Sequence, residues 1–322
     1  MNILLIMQKA FILIILATVA LNAAAQDANN DRYHDGDVAI GNAIIKNNGL
    51  DATPDNPASW KFVFWSKDAV KRIIGLDLTL KSLTGTLDLS GLIRLTWLDC
   101  DINRQLTALN VSGCNSLIRL SCIKNSLALI DVSGCIALKT LNCSNNRLTV
   151  LNVSECAALI ELYFRRNEVK TLNVSGLTEL IQLECNENRL TELNVSKCIV
   201  LNRLDCRKNN LTSLNVSGLI GLTELFCNEN RLSSLNLSGC KALDVLDCGD
   251  NELTELDVSG CISLTGLACQ RNKLTSLDVS RLTYLKELYC GKNLLTELDV
   301  SGLTKLDVLY YEGNPQHITV KR

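Results

Sequence analysis

Fifteen cysteines are the residues in this sequence with the most chemistry to offer. Thiols pair as disulfides, hold soft metals or attack as nucleophiles, and their spacing decides which. Nine recur at multiples of 21 or 22 residues: Cys100, Cys122, Cys143, Cys185, Cys206, Cys227, Cys248, Cys269 and Cys290. Phe164 and Tyr311 hold the same place in two further copies. Six more follow a Val-Ser-x or Leu-Ser-x phrase: Cys114, Cys135, Cys156, Cys198, Cys240 and Cys261, with Leu177, Leu219, Leu282 and Leu303 as their equivalents elsewhere. A place that accepts Cys, Leu and Phe alike is a buried apolar place. An odd total rules out complete intramolecular pairing. Neighbouring parallel strands about 4.7–4.9 Å apart also keep Cβ atoms beyond the ~3.8 Å that a relaxed disulfide prefers. No C-x-x-C occurs, so zinc has no paired ligands. Free, buried thiols and no bound metal are expected.

The other candidate catalytic groups are as poorly placed. The two histidines, His34 and His317, lie outside the recurring segment, toward its opposite ends, so no Ser/His/Asp or Cys/His constellation is suggested. Asp131, Asp257, Asp278 and Asp299 share one position of the recurrence with Asn110, Asn152, Asn173, Asn194 and Asn215, which marks that position as structural. There is no glycine-rich phosphate loop. The chain is expected not to be an enzyme and to need no cofactor.

The elements that set these positions follow from one phrase, Leu-x-Cys-x-x-Asn. Its leucine falls at Leu98 and Leu120, then every 21 residues from Leu141 to Leu309. Its asparagine falls five later, from Asn103 to Asn314. Leu76 and Leu78 begin an earlier, degenerate copy, making about twelve over residues 73–314. Alternating apolar residues such as Leu183 and Cys185 read as a short strand with one face buried. Each strand pairs in parallel with its equivalent in the next copy, and the asparagine at fixed offset satisfies turn backbone groups. One copy cannot bury its own apolar face. Stacking buries it, at roughly 1.5–3 kcal/mol for each leucine. Prolines occur only at Pro54, Pro57 and Pro315, leaving the repeats uninterrupted.

The ends differ from the repeats. Lys9, the apolar run from Ala10 to Leu21 and Ala23-Ala24-Ala25 have the layout of a signal peptide, residues 1–25, cleaved before Gln26. The run is too short to span a bilayer, so no membrane insertion is expected after cleavage. Residues 26–72 read as an N-terminal cap over the first coil. In it Asp37 caps a short helix carrying Val38, Ile40, Ala43, Ile44 and Ile45 and ending at Gly49, and Trp60, Phe62 and Phe64 alternate like a strand. Residues 315–322 form a tail.

Phrases such as Leu267-Ala-Cys269-Gln-Arg-Asn272-Lys-Leu274-Thr-Ser-Leu277-Asp278-Val279-Ser280 resemble the 21-residue cysteine-ladder repeats of the internalin J family of leucine-rich-repeat proteins. The resemblance covers roughly Leu76 to Asn314. It implies an α/β leucine-rich-repeat solenoid, a horseshoe with a parallel β-sheet on the concave face and extended or 3₁₀ segments on the convex side. It also implies a bacterial surface recognition or adhesion role, with mucins among the targets of such proteins. The LPxTG wall-sorting signal of that family is missing here, which speaks against attachment to a cell wall.

Strand alternation turns the residues flanking the Leu and Cys outward on the concave face. Aromatic and arginine side chains there are the usual binding anchors, which selects Trp97, Arg119, Tyr163, Arg165, Arg203, Arg207, Phe226, Tyr289 and Tyr310. Tyr163, Arg165, Arg203, Arg207 and Phe226 fall on neighbouring coils. Outward charge is uneven: seven basic residues against four acids between Arg119 and Lys208, and six acids against two bases from Glu224 to Glu312. An anionic partner, such as a sulfated or sialylated glycan, would favour the middle. With a net charge of -2, nothing recommends nucleic acid. The expectation is an exported recognition module, at the cell surface, secreted or periplasmic. Its partner on the concave face is a protein or glycoprotein such as a host mucin, or another glycan. The alternative is a structural or assembly protein of the envelope.

Overall fold

The computed structural model describes residues 32–321. The leader assigned to residues 1–25 lies outside them. Twelve parallel strands, from Ile73–Asp77 to Val308–Tyr310, form one face of the coil stack in the order of the sequence. The register puts each phrase leucine beside the next, for example Leu183 beside Leu204 and Leu225 beside Leu246. These leucines, except the half-buried Leu309 of the last coil, and the ladder cysteines are buried, most with no exposed surface at all. All fifteen cysteines are buried and unpaired.

The turn after each strand explains why asparagine recurs. Asn188 donates from Nδ2 to the carbonyls of Cys185 (3.1 Å) and, one coil back, Phe164 (3.0 Å), and its Oδ1 accepts from Val169 N (3.1 Å). The same three bonds recur at Asn209, Asn251, Asn272 and Asn293. The residue before each asparagine from Asn103 to Asn293 has positive φ, from Ile102 through Lys124 to Lys292, as does Leu80 at the same place in the first copy, all at 53–59°. These side chains carry a Cβ, which ordinarily disfavours that conformation. What holds them there is the N–H of the same residue, which bonds to the next coil, as in Arg166 N to Asn186 O at 3.0 Å.

The opposite side is extended, with short parallel pairings such as Ser213–Asn215 with Ser234–Asn236, and turns closed by bonds such as Cys198 N to Val195 O (2.9 Å). The Asp/Asn of the second phrase accepts from the serine N–H two residues on, as Asn194 does from Ser196 (3.0 Å), so the position is structural as expected. No described segment there is a 3₁₀ helix; the only one in the described residues is Pro57–Ser59.

The cap differs from its reading in two details. The helix α1 spans Asp35–Asn48 and begins one turn earlier than expected: His34 is its N-cap, its Nδ1 accepting from Asp37 N (3.4 Å), and Gly49 at φ 60 ends it. Asp37 lies inside the first turn and is buried, because its carboxylate is needed elsewhere. It accepts from Arg72 Nη2 (2.9 Å) and Nε (3.0 Å) and from the Ile73 N–H (2.7 Å), tying helix to sheet. Trp60 caps the short 3₁₀ helix Pro57–Ser59 and Phe62 sits in a turn, with only Val63–Trp65 forming a strand, antiparallel to Ile73–Asp77. Trp60 instead stacks on the helix at Gly41, where any Cβ would meet its ring. At the other end, Thr319–Lys321 pairs with Glu297–Asp299, so part of the expected tail is the last convex strand. No described helix is long and apolar enough to cross a membrane.

Candidate functional site

Three expected anchors meet in the middle of the concave face. Phe226 and Asp205 are partners in adjacent strands, which sets Arg203 and Arg207 on either side of the Phe226 ring. The Arg203 guanidinium lies 4.8 Å from the ring centroid and that of Arg207 5.6 Å. Each is held by carboxylates. Arg203 pairs with Glu184 (3.8 Å) and with Glu224, and Arg207 with the buried Asp205 (2.9 Å). The result is a half-buried ring between two fixed cations, an arrangement in which cation–π attraction and ion pairing orient the same side chains. Burial raises the Asp205 carboxyl above its usual range, against the opposing pull of Arg207.

Tyr163 stands two coils before Arg203 and three before Phe226, half-buried, its hydroxyl donating to Gln182 Oε1 at 2.5 Å. Burial, then the charges of Glu161 and Glu184, push its phenol up, so it remains a neutral donor. Arg165 is exposed and makes no ion pair among the described residues. Tyr289 and Tyr310 are register partners in the last two strands, the Tyr310 ring lying over Gly291. Arg119 pairs with Asp99 (3.1 Å). Trp97 is bound up with the cap: its ring covers Gly75 and packs on Phe64 at 4.8 Å between centroids.

The expected basic excess in the middle is mostly cancelled across coils. Besides the pairs above, Arg166 binds Glu187 (3.0 Å) and Lys208 binds Glu229 (3.6 Å), leaving Lys124 and Arg165 without an ion pair among the described residues. Except for Asp205, two residues from Arg207, the carboxylates that do this come from the neighbouring coil, 19 to 21 residues away. Only alignment of the copies against one another would have exposed them.

The thiols offer no chemistry to a ligand. Burial is the first cause in every case, raising Cys114 to about 11 and Cys290 to about 12, and Cys227 well above the ordinary thiol value. No group of three or more His, Cys, Asp or Glu among the described residues is arranged to hold a metal.

No protein-family model matches the chain, and no curated protein sequence does. Solved structures do. The functional domain of InlJ from Listeria monocytogenes, which includes a cysteine ladder, is 33% identical over 77% of this chain and 53% of that one, with a TM-score of 0.61. The chain thus spans about half of that structure's length. A leucine-rich-repeat protein of Leptospira interrogans is 25% identical over 74% of this chain and 78% of its own, with a TM-score of 0.53. YopM, a leucine-rich effector protein of Yersinia pestis, shares the fold at 19% identity, 77% and 89% coverage and a TM-score of 0.52. With coils, ladder and these likenesses together, the chain is a leucine-rich-repeat solenoid of the 21-residue, cysteine-ladder type, resembling InlJ.

Proposed function

We propose that the chain is an exported bacterial recognition module. It binds a protein or glycoprotein partner on its concave face, centred on Arg203, Arg207 and Phe226 and reaching Tyr163 and Arg165. The single observation that carries this reading is the Phe226 ring set between two ion-paired arginines on an open sheet. Aromatic and arginine residues with restrained rotamers lose little entropy on binding, which is why they dominate interface energetics. Export rests on the leader-like residues 1–25. Catalysis has no place in the reading, since burial keeps the thiols protonated and the two histidines belong to the cap and the tail.

The test is site-specific photo-crosslinking on producing cells, with p-benzoylphenylalanine replacing Phe226 or, on the convex side, Ser213. A protein or glycoprotein adduct from position 226 and not from 213 supports the concave site. Equal adducts from both, or none from 226, reject it. Once the partner is identified, Phe226→Ala is expected to weaken binding by about 30-fold, the equivalent of ~2 kcal/mol, with an unchanged melting temperature. Protease digestion of intact cells, with sequencing of the mature N-terminus, tests export: an intact leader and protection in lysed and unlysed cells alike would reject it.

A further inference from the structure

The two ends of the coil stack are finished differently. At the N-terminal end Val63–Trp65 lies antiparallel against the first repeat strand, and Trp60, Phe62 and Val63 are buried there. At the C-terminal end the strand Val308–Tyr310 has one neighbour, Glu287–Tyr289, and stands last in its sheet. The described residues that follow do not pair with it: Thr319–Lys321 pairs instead with Glu297–Asp299 on the convex side. Core positions of this coil are left half open. Leu306, Leu309 and Tyr311 are only partly buried, whereas their equivalents one coil earlier, Leu285, Leu288 and Cys290, have no exposed surface.

The edge itself is fit for pairing. Val308 N donates to Lys286 O (2.9 Å) and Tyr310 O accepts from Cys290 N (2.8 Å), so both residues turn their backbone groups to the preceding strand. Leu309, between them, turns its N–H and C=O to the open side, as Leu288 does toward the next strand in the coil before. From Val308 to Tyr311 the edge carries no charge and no proline. Sheet edges left to solvent are ordinarily guarded by one or the other. On the concave side Val308 and Tyr310 are 38% and 37% exposed.

One occupant fits this edge in register. An antiparallel strand centred on Leu309 meets its N–H and C=O with two hydrogen bonds. When that strand is Val308–Tyr310 of a second copy, each Val308 faces the second copy's Tyr310, a β-branched and aromatic pair of the kind that stabilises sheets. The same register sets Asp307 against Tyr311 and Leu306 against Glu312, so no like charges stand opposite one another. A two-fold axis normal to the sheet closes the contact, with the same surface used once on each copy. A head-to-tail contact gains less, because the apolar residues of the N-terminal end are already buried.

We propose that the chain forms a two-fold dimer through this edge, with Val308–Tyr310 pairing antiparallel to itself and Leu306, Leu309 and Tyr311 closing a joined core. Both concave faces then lie on one side of a continuous sheet. The two Phe226 rings stand nine strand spacings apart, roughly 40 Å along it, so that a partner with repeated epitopes can engage both. The dimer itself does not depend on the concave-face reading.

The experiment is sedimentation equilibrium of the full chain over rising concentration, with circular dichroism as the control on folding. A doubled mass is expected. Val308→Lys, which puts a charge on the edge, is expected to sediment as a monomer with an unchanged spectrum. Crosslinking reads the register. Chains carrying Val308→Cys and chains carrying Tyr310→Cys, mixed and treated with a mild oxidant, are expected to give a disulfide-linked dimer on a non-reducing gel, and neither variant alone to do so. The native thiols are buried and do not compete. A monomer at every concentration would overturn the proposal, and so would a dimer that Val308→Lys leaves intact. Crosslinks within each variant alone and none in the mixture would overturn the two-fold pairing. Should Val308→Lys fail to fold, the crosslink from the mixture decides, and its absence counts against the dimer.

Discussion

Asn188 closes three backbone bonds at once, between its own coil and the one before. Asn188→Ala leaves the buried Val169 N–H without a partner and takes one of two amide donors from each of the Phe164 and Cys185 carbonyls, which keep Asn167 and Asn209, so urea unfolding is expected to register a loss of about 1–3 kcal/mol. The cysteines divide differently. Cys198 lies between Leu177 and Leu219 in the second ladder, a row in which leucine already fits. Cys198→Leu is therefore expected to move the melting temperature little. Cys248 lies in the strand ladder directly between two other small residues, Cys227 and Cys269, and Cys248→Leu is expected to overpack the core at ~1–3 kcal/mol. Equal effects of the two would mean that the rows do not differ in volume. These roles were legible from position alone, because a residue type repeated eleven times, or freely exchanged with leucine, states its environment. The positive φ before each asparagine was not legible, since Lys, Arg, Glu, Asp and Ile all occur there and none advertises it.

At the scale of the element, the cap and the strands carry the informative discrepancies. Asp37 looked like a helix cap because acids favour first turns. His34 took that role because the Asp37 carboxylate is committed to Arg72 and Ile73, a tertiary demand invisible in local sequence. Removing one side of such a buried pair strands the other charge. Asp37→Ala is expected to cost about 3–5 kcal/mol and to speed amide exchange in the first coils, at Leu76 and Leu98, while leaving Leu246 unchanged. In the strands, burial raises the Asp99 carboxyl to about 6, its Arg119 pair only partly offsetting this. A carboxyl that binds its proton more tightly folded than unfolded lowers stability as pH rises through the interval from 3.8 to about 6. Asp99→Asn should therefore stabilise the protein at pH 7.5, by ~1–3 kcal/mol at 1.4 kcal/mol per unit, and bring no gain at pH 3.5. Thermal melts of both proteins across that range would show the opposite trend if the Arg119 pair outweighed desolvation.

The whole molecule is a line of nearly equivalent coils, each bonded to its neighbours 21 residues away. Stability in such an array is close to a sum over coils and their interfaces. Deleting residues 252–272, one full period, rejoins Asn251 to Lys273 with the phrase intact. The shortened protein is expected to unfold cooperatively with a melting temperature a few degrees lower. Deleting 252–271 instead puts every downstream leucine out of register and is expected to give an unfolded or aggregated C-terminal half, visible in circular dichroism. At this scale the fold and the face that could bind were readable from periodicity. The state of the face was not: whether an arginine is available or already paired depends mostly on residues of the neighbouring coil, so the expected basic middle turned out largely neutralised.

The row of positive-φ residues has one more consequence. Its shape is imposed by the bonds to the next coil, so the side chain borne there is nearly independent of the backbone that carries it. Lys124, Arg166, Glu187, Lys208, Glu229, Asp250, Arg271 and Lys292 occupy one conformation with either sign of charge. The rim is in effect a line of type that can be reset letter by letter without disturbing the page. Lineages of this scaffold can thus rewrite the electrostatic address along that edge while the core that stacks the coils stays untouched.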